Sequence, residues 1–187
     1  MLDKIIMAGF GGQGLLFMGK LIAQMMMEQG RNVTYFPSYG AEVRGGTCNC
    51  HVVASDDEIH SPVVENATSL VIMNAPSYTR FAPLLERDGL LVLNTSIVHD
   101  YKPLGWGRIM EVPATDVANE LGDMRVANMV MLGAFVETRK LVTVQALKDH
   151  MADVLGGKKP EMIEINISAI NRGIEIAKKA GTRTNTD

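Results

Sequence analysis

Cysteine, basic charge and long apolar runs are all scarce in this sequence, and each shortage excludes a class of protein. Two cysteines in 187 residues cannot build a disulfide framework. A net charge of −3 argues against broad binding to nucleic acid, which needs a concentration of lysine and arginine. No apolar run approaches the roughly 18 residues that cross a membrane, and the N-terminal residues lack the pattern of a signal peptide. We therefore expect a cytoplasmic protein that binds neither nucleic acid nor membrane.

Metal-binding and catalytic combinations are also missing. Cys48, Cys50 and His51 lie close together, but on a predicted strand the two cysteines face one side and the histidine the other. A structural zinc site needs four ligands, and an iron–sulfur cluster usually needs four cysteines. No histidine belongs to a recognisable triad motif. The sequence therefore predicts no metal site and no complete catalytic set on this chain.

The composition and the order of elements predict one α/β domain over residues 1–181, followed by a polar tail over residues 182–187. Strands are predicted at residues 4–8, 33–36, 47–54, 70–74, 90–94 and 108–112. Helices are predicted at residues 15–29, 76–87, 113–121, 128–140, 143–155 and 165–180, the second of them bent or split at Pro83.

The first strand, helix and second strand make a βαβ unit, which implies parallel strands. We therefore predict an open, mainly parallel, Rossmann-like sheet flanked by helices. An antiparallel strand pair is also expected, with residues 58–60 returning along the strand at 47–54.

A glycine-rich loop between the first strand and the first helix is the strongest local motif. Its residues are Gly9, Gly11, Gly12, Gln13 and Gly14. Glycines let the backbone approach a ligand closely, and the free N–H groups of the following helix suit a phosphate or carboxylate. The alternative is that these glycines serve only tight packing between strand and helix.

Two better-known uses of such a loop fit the sequence poorly. A dinucleotide-binding fold should carry an acidic residue at the end of the second strand, and residues 34–37 contain none. The loop also lacks the Gly-Lys-Ser/Thr ending of a P-loop. A stand-alone nucleotide-binding module or small NAD(P)-dependent dehydrogenase therefore remains the second hypothesis.

A second motif follows the second strand, at the carboxyl edge where open α/β sheets place their ligands. It contains Ser38, Tyr39, Glu42, Arg44, Gly45 and Gly46, and residues 37–46 are predicted to be a loop. The guanidinium of Arg44 can offer a planar fork to a carboxylate or phosphate. A salt bridge between Glu42 and Arg44 in a surface turn is the simpler alternative.

In this order and spacing, the two motifs resemble those of the gamma subunit of the 2-oxoacid:ferredoxin oxidoreductases. The segment Asn128-Met129-Val130-Met131-Leu132-Gly133-Ala134 resembles a third segment of that family. The resemblance covers residues 4–180 and adds Asn128 to the candidate cofactor-binding residues. The family includes enzymes for 2-oxoglutarate, branched-chain 2-oxoacids and pyruvate.

The resemblance implies a non-autonomous subunit of an enzyme complex. That complex decarboxylates a 2-oxoacid oxidatively to an acyl-coenzyme A and reduces ferredoxin, and 2-oxoglutarate is the favoured substrate. The implied partners are alpha, beta and delta subunits. Thiamine diphosphate with magnesium would lie between alpha and beta, and [4Fe-4S] clusters on the beta or delta chain. Coenzyme A would be a ligand shared with this chain.

Overall fold

The computed structural model describes residues 1–40, 46–155, 160–181 and 183–184. The strands in this part of the chain are β1 (Leu2–Phe10), β2 (Asn32–Tyr39), β3 (Thr47–Ser55), β4 (Ala67–Ile72), β5 (Leu85–Asn94), β6 (Arg108–Val112) and β7 (Arg183–Thr184). The α-helices are α1 (Leu15–Glu28), α2 (Ala75–Phe81), α3 (Ala114–Glu120), α4 (Ala127–Arg139), α5 (Val144–Leu155) and α6 (Pro160–Ala180). Short 3₁₀ helices occupy Ala82–Leu84 and Met124–Val126.

The strands form one sheet in the order β2-β3-β1-β4-β5-β6-β7. Parallel pairing joins β1 to β4, β4 to β5 and β5 to β6. Strand β3 lies antiparallel between β1 and β2, and β7 lies antiparallel to β6. All strands except β3 and β7 therefore run in one direction, which confirms the prediction of a mainly parallel α/β sheet.

The predicted antiparallel strand at residues 47–54 is present, but its predicted partner is wrong. Residues 58–60 form no strand, and β3 instead pairs with β1 along one edge and with β2 along the other. Both edges of β3 are therefore occupied, so no edge is left for a returning strand. The predicted βαβ unit keeps its direction, since β1 and β2 point the same way, but β3 separates them.

Several predicted boundaries differ from the structure for local reasons. Strand β2 continues through Pro37 to Tyr39, so the loop predicted from residue 37 begins later; an outer strand can accommodate a proline. The helix predicted over residues 76–87 ends at Phe81, because the segment around Pro83 is a 3₁₀ turn and β5 begins at Leu85. Helix α6 begins at Pro160, before the predicted start. Residues 183–184 of the predicted tail form β7.

Side chains alternate along the strands into two cores on opposite faces of the sheet. In β1, Ile5 and Met7 enter the larger core with α1, α3, α4, α5 and α6, whereas Ile6 and Ala8 enter the smaller core with α2. The amphipathic stripe predicted for the fourth helix underestimates its burial. Residues Ala127 to Val136 of α4 are all buried, because α6 covers the side that faces away from the sheet.

Candidate functional site

The glycine-rich loop connects the carboxyl end of β1 to the first turn of α1. Within it, the N–H of Phe10 donates to Gln13 Oε1 at 2.7 Å, and the N–H of Gln13 donates to the carbonyl of Phe10 at 3.2 Å. The backbone is left-handed at Gly12 and Gly14, with φ of 93° and 74°. The side chain of Gln13 therefore closes the loop by accepting from the backbone of Phe10. Its role in ligand binding stays a prediction.

Several backbone N–H groups at the end of this loop have no acceptor among the described residues. No residue in the described ranges accepts a hydrogen bond from the amides of Gly12, Gly14, Leu15 or Leu16. Helix α1 also begins without a side-chain cap and without an acidic residue in its first turn. Free donors and the positive end of the helix dipole together favour an anion at this point.

The structure brings part of the second motif to this loop. The N–H of Gly11 donates to the carbonyl of Gly46 at 2.9 Å, so the two motifs touch through backbone. Ser38 and Tyr39 lie at the end of β2, which is separated from β1 by β3, and Tyr39 is 71% exposed. Glu42, Arg44 and Gly45 lie outside the described residues.

Asn128 brings the third segment to the same loop. Its Nδ2 lies 3.5 Å from the carbonyl of Gly14, and its Oδ1 accepts from the N–H of Met129 at 2.9 Å. A Cβ on Gly14 would overlap Asn128 Nδ2, so this position needs glycine for space as well as for its positive φ. The first turn of α4 therefore packs directly on the entrance to α1.

A cavity of about 230 Å³ opens beside the loop at the carboxyl edge of the parallel strands. Its lining residues come from the loop, the ends of β4 and β5, and the starts of α3 and α4: Gly12, Gln13, Met73, Ile97, Thr115, Met124, Arg125, Ala127 and Asn128. The buried side chain of Asn94 orders this rim, donating from Nδ2 to Thr115 Oγ1 at 3.0 Å and accepting from the N–H of Ala114 at 3.2 Å. Open α/β sheets bind ligands at this edge.

Arg125 is a site residue that the sequence did not identify. Its side chain is 82% exposed and forms a two-pronged pair with Asp123, with Nη2 to Oδ2 at 2.6 Å and Nε to Oδ1 at 2.9 Å. The Arg125 guanidinium lowers the pKa of the Asp123 carboxyl, chiefly through these hydrogen bonds. In the sequence, only its position three residues before Asn128 could have indicated Arg125, and that spacing does not belong to a general motif.

A second cavity, of about 250 Å³, lies on the other side of Arg125 and Asn128. Its lining mixes apolar and polar side chains and comes from α1, the 3₁₀ turn, α4, α5 and α6: Phe17, Asp123, Arg125, Val126, Asn128, Val154, Met162, Ile165 and Asn166. Arg125 and Asn128 thus line both cavities.

The two cysteines lie on the strand beside the glycine loop, where Cys48 pairs with Gly9 and Cys50 Sγ lies 3.6 Å from the carbonyl oxygen of Leu15. Cys48 and Cys50 face the larger core, whereas His51 faces the smaller one, as strand alternation predicted. Burial raises the pKa of the Cys50 thiol to about 12. Across the described ranges, no group of three His, Cys, Asp or Glu side chains is placed to hold a metal ion. In the same ranges, no helix is long and apolar enough to cross a membrane.

Known proteins are similar to this chain in sequence and in fold. A model of the family described as pyruvate ferredoxin/flavodoxin oxidoreductase matches residues 4–176. The chain belongs to this family. The 2-oxoglutarate synthase subunit KorC of Methanothermobacter thermautotrophicus is 34% identical over 180 residues, which cover 92% of this chain and 94% of KorC. The ketoisovalerate oxidoreductase subunit VorA of Methanothermobacter marburgensis is 34% identical over 177 residues, or 94% of this chain.

Solved structures agree with the family assignment. The gamma subunit of a keto/oxoacid ferredoxin oxidoreductase from Geobacter sulfurreducens matches with a TM-score of 0.79 and 26% identity, over 95% of this chain and 99% of that one. The 2-oxoglutarate:ferredoxin oxidoreductase of Magnetococcus marinus has the same fold, with a TM-score of 0.88 at 24% identity over 98% of this chain. This chain spans only 37% of the length of VorA and 32% of the Magnetococcus chain. The resemblance to gamma subunits is therefore confirmed, at the level of family and fold.

Proposed function

We propose that this chain is the gamma subunit of a 2-oxoacid:ferredoxin oxidoreductase complex and that it supplies part of the coenzyme A site. The observation that carries the proposal is the meeting of Gly46 and Asn128 with the glycine loop, beside free amides and a cavity. The phosphates of coenzyme A suit those amides. The Magnetococcus relative was solved with 2-oxoglutarate, coenzyme A and succinyl-CoA bound, which supports this choice of ligand.

The reaction itself belongs to partner chains in this proposal. Alpha and beta subunits, with delta where present, would carry thiamine diphosphate, magnesium and [4Fe-4S] clusters, and ferredoxin would accept the electrons. This chain covers only 37% of VorA and 32% of the Magnetococcus chain. The greater length of these two relatives supports a need for further polypeptide. This chain would hold and orient coenzyme A by its phosphates while the acyl group is formed elsewhere.

For the substrate we propose 2-oxoglutarate. KorC of Methanothermobacter thermautotrophicus, a 2-oxoglutarate synthase subunit, is similar to this chain along 94% of its own length. The Magnetococcus relative was solved with 2-oxoglutarate bound, which also supports this choice. Turnover of the assembled complex with 2-oxoglutarate, pyruvate and 2-oxoisovalerate tests the choice, and a clear preference for either of the other two acids would overturn it.

The role in coenzyme A binding is tested by co-expressing this chain with its alpha and beta partners and measuring ferredoxin reduction. The chain alone should show no turnover, and the complex should. Gly14→Ala combines an unfavourable φ with overlap on Asn128, so we expect the KM for coenzyme A to rise about tenfold while the KM for the 2-oxoacid stays unchanged. Gly105→Ala is the matched control, since a Cβ there meets nothing within 4 Å.

Two outcomes would reject this function. An unchanged KM for coenzyme A in the Gly14→Ala complex would remove the glycine loop from the ligand site. Micromolar binding of NAD or NADP by the lone chain, measured by calorimetry, would favour the stand-alone nucleotide-binding module or small dehydrogenase instead.

A further inference from the structure

Arg125 occupies a distinctive position between the two cavities. Among the described residues that line the first cavity, it is the only one with a charged side chain, and it also lines the second. The free amides of the glycine loop border the first cavity through Gly12. An anion held by those amides would therefore lie beside the exposed guanidinium of Arg125.

In this structure that guanidinium is held by Asp123. The carboxylate contacts both Nε and Nη2 of Arg125, and it also accepts from the backbone N–H of Arg125 at 2.9 Å. Asp123 caps the 3₁₀ turn Met124–Val126 by that last bond, so its position is fixed by backbone. The arginine side chain has no such anchor and can rotate away, since exposed ion pairs are weak.

A phosphate is a stronger partner for the same guanidinium. It carries more negative charge than a carboxylate and accepts a two-pronged hydrogen bond from arginine in the same plane. The apolar side chains of the second cavity favour a phosphate that is attached to an organic group, since inorganic phosphate would leave those side chains in contact with water. The apolar residues concerned are Phe17, Val126, Val154, Met162 and Ile165.

We propose that Arg125 is a specificity-determining ligand for an organic phosphate, and that Asp123 competes with that phosphate for its guanidinium. This inference rests on the proposed function, because it takes coenzyme A as the ligand of the same cleft. Asp123 holds Arg125 while the cleft is empty and releases it when the phosphate binds. Ligands without a phosphate do not release it and gain nothing from Arg125.

The consequence is that removing an acid should strengthen binding of an anion. In the assembled complex, Asp123→Asn should lower the Kd for coenzyme A about threefold, because asparagine keeps the capping oxygen but loses the charge. Arg125→Gln should raise that Kd about tenfold or more, and Arg125→Lys should fall between wild type and Arg125→Gln. Combining Asp123→Asn with Arg125→Gln should give the Kd of Arg125→Gln alone, because the acid acts through the arginine.

Controls separate this role from a general effect of surface charge. Arg172 and Glu120 form a similar exposed pair at 2.8 Å and line neither cavity, so Glu120→Gln and Arg172→Gln should leave the Kd for coenzyme A unchanged. Calorimetry with coenzyme A, ADP, pantetheine and inorganic phosphate provides the second readout. The variants should change binding of coenzyme A and ADP, leave pantetheine unchanged, and reduce the salt dependence of coenzyme A binding when Arg125 is removed.

The result that overturns the inference is a Kd for coenzyme A that stays at the wild-type value in Asp123→Asn and Arg125→Gln complexes. If Gly14→Ala still weakened coenzyme A binding in that case, the proposed function would stand and only the role of Arg125 would fall. If neither Gly14→Ala nor Arg125→Gln changed the Kd of the complex for coenzyme A, both the proposed function and the role of Arg125 would be overturned. Equal weakening of pantetheine and coenzyme A by Arg125→Gln would identify a purely structural role and would also reject the proposal.

Discussion

At the scale of single residues, the alternation of side chains along β3 places adjacent residues in different environments. Cys50 and His51 are adjacent, yet the thiol lies under α1 and the imidazole lies on the opposite face. His51 Nδ1 accepts from the N–H of Val64 at 2.9 Å, which requires the neutral imidazole. Burial and then the nearby positive charge of Arg80 lower the pKa of His51.

We expect acid to destabilise the chain partly through His51. Because the folded pKa lies below the unfolded value near 6.5, the unfolded state binds more protons between the two, so stability rises with pH there. This contribution is fully present above about pH 6.5 and is lost as the pH falls towards the folded pKa. His51→Asn keeps an acceptor near the Nδ1 position and should flatten the dependence of the urea midpoint on pH. His60→Asn, at an exposed position, is the control. If the urea midpoint depended on pH equally in wild type and in His51→Asn, the role of His51 would be contradicted.

At the scale of elements, the packing of α4 against α6 depends on two glycines that meet backbone. A Cβ on Gly133 would overlap the carbonyl of Ile170, and a Cβ on Gly173 would overlap the carbonyl of Val130. The two helices approach so closely that α6 seals the outer face of α4. That contact explains why α4 is buried around its whole circumference although its sequence suggested one apolar stripe.

Gly173→Ala should destabilise the fold by about 1–3 kcal/mol, since the overlapping partner is backbone and cannot rotate away. The sign of this change in stability is informative, because a glycine-to-alanine substitution inside an exposed helix normally stabilises a protein by up to about 1 kcal/mol. Urea unfolding of Gly173→Ala, Gly133→Ala and the control Gly105→Ala measures the effect. A midpoint for Gly173→Ala at or above the wild-type value would show that the helices separate without cost.

At the scale of the whole molecule, a charged network ties together elements far apart in sequence, at the edge of the sheet opposite the candidate site. The side chain of Asp3 is 1% exposed and accepts from Arg31 Nη1 at 2.8 Å and from Arg139 Nη2 at 3.1 Å. Arg31 also donates to the carbonyl of Ala54 at 2.9 Å, and Arg139 donates to Ser69 Oγ at 3.1 Å. One carboxylate thereby connects β1 with the start of β2 and the end of α4.

Replacing that carboxylate should destabilise the molecule without affecting ligand binding. Among the described residues, Asp3→Asn leaves Arg139 without its counter-charge and leaves Arg31 with only the exposed carboxylate of Asp56 at 3.4 Å, and we expect a loss of about 3 kcal/mol in the free energy of unfolding. Asp57→Asn, at an exposed position, is the matched control and should stay within about 0.5 kcal/mol. A complex assembled with the folded Asp3→Asn chain should retain the wild-type Kd for coenzyme A. A change under about 1 kcal/mol for Asp3→Asn would show that the network is not stabilising.

Features that depend on neighbouring residues could be predicted from the sequence. Periodicity located α1, α4 and most strands, Pro83 marked the end of a helix, and the glycine motifs identified the loop that Gly46 and Asn128 reach in the structure. These signals survive because turn chemistry and side-chain period act over a few residues.

The pairing of strand edges and the contacts between distant side chains could not be predicted in this way. The insertion of β3 between β1 and β2, the sealing of α4 by α6 and the position of Arg125 between two cavities all join residues distant in sequence. Each depends on which backbone edge is free and how closely two surfaces can approach. Those conditions are set by the assembled sheet and helices together, so no local pattern encodes them.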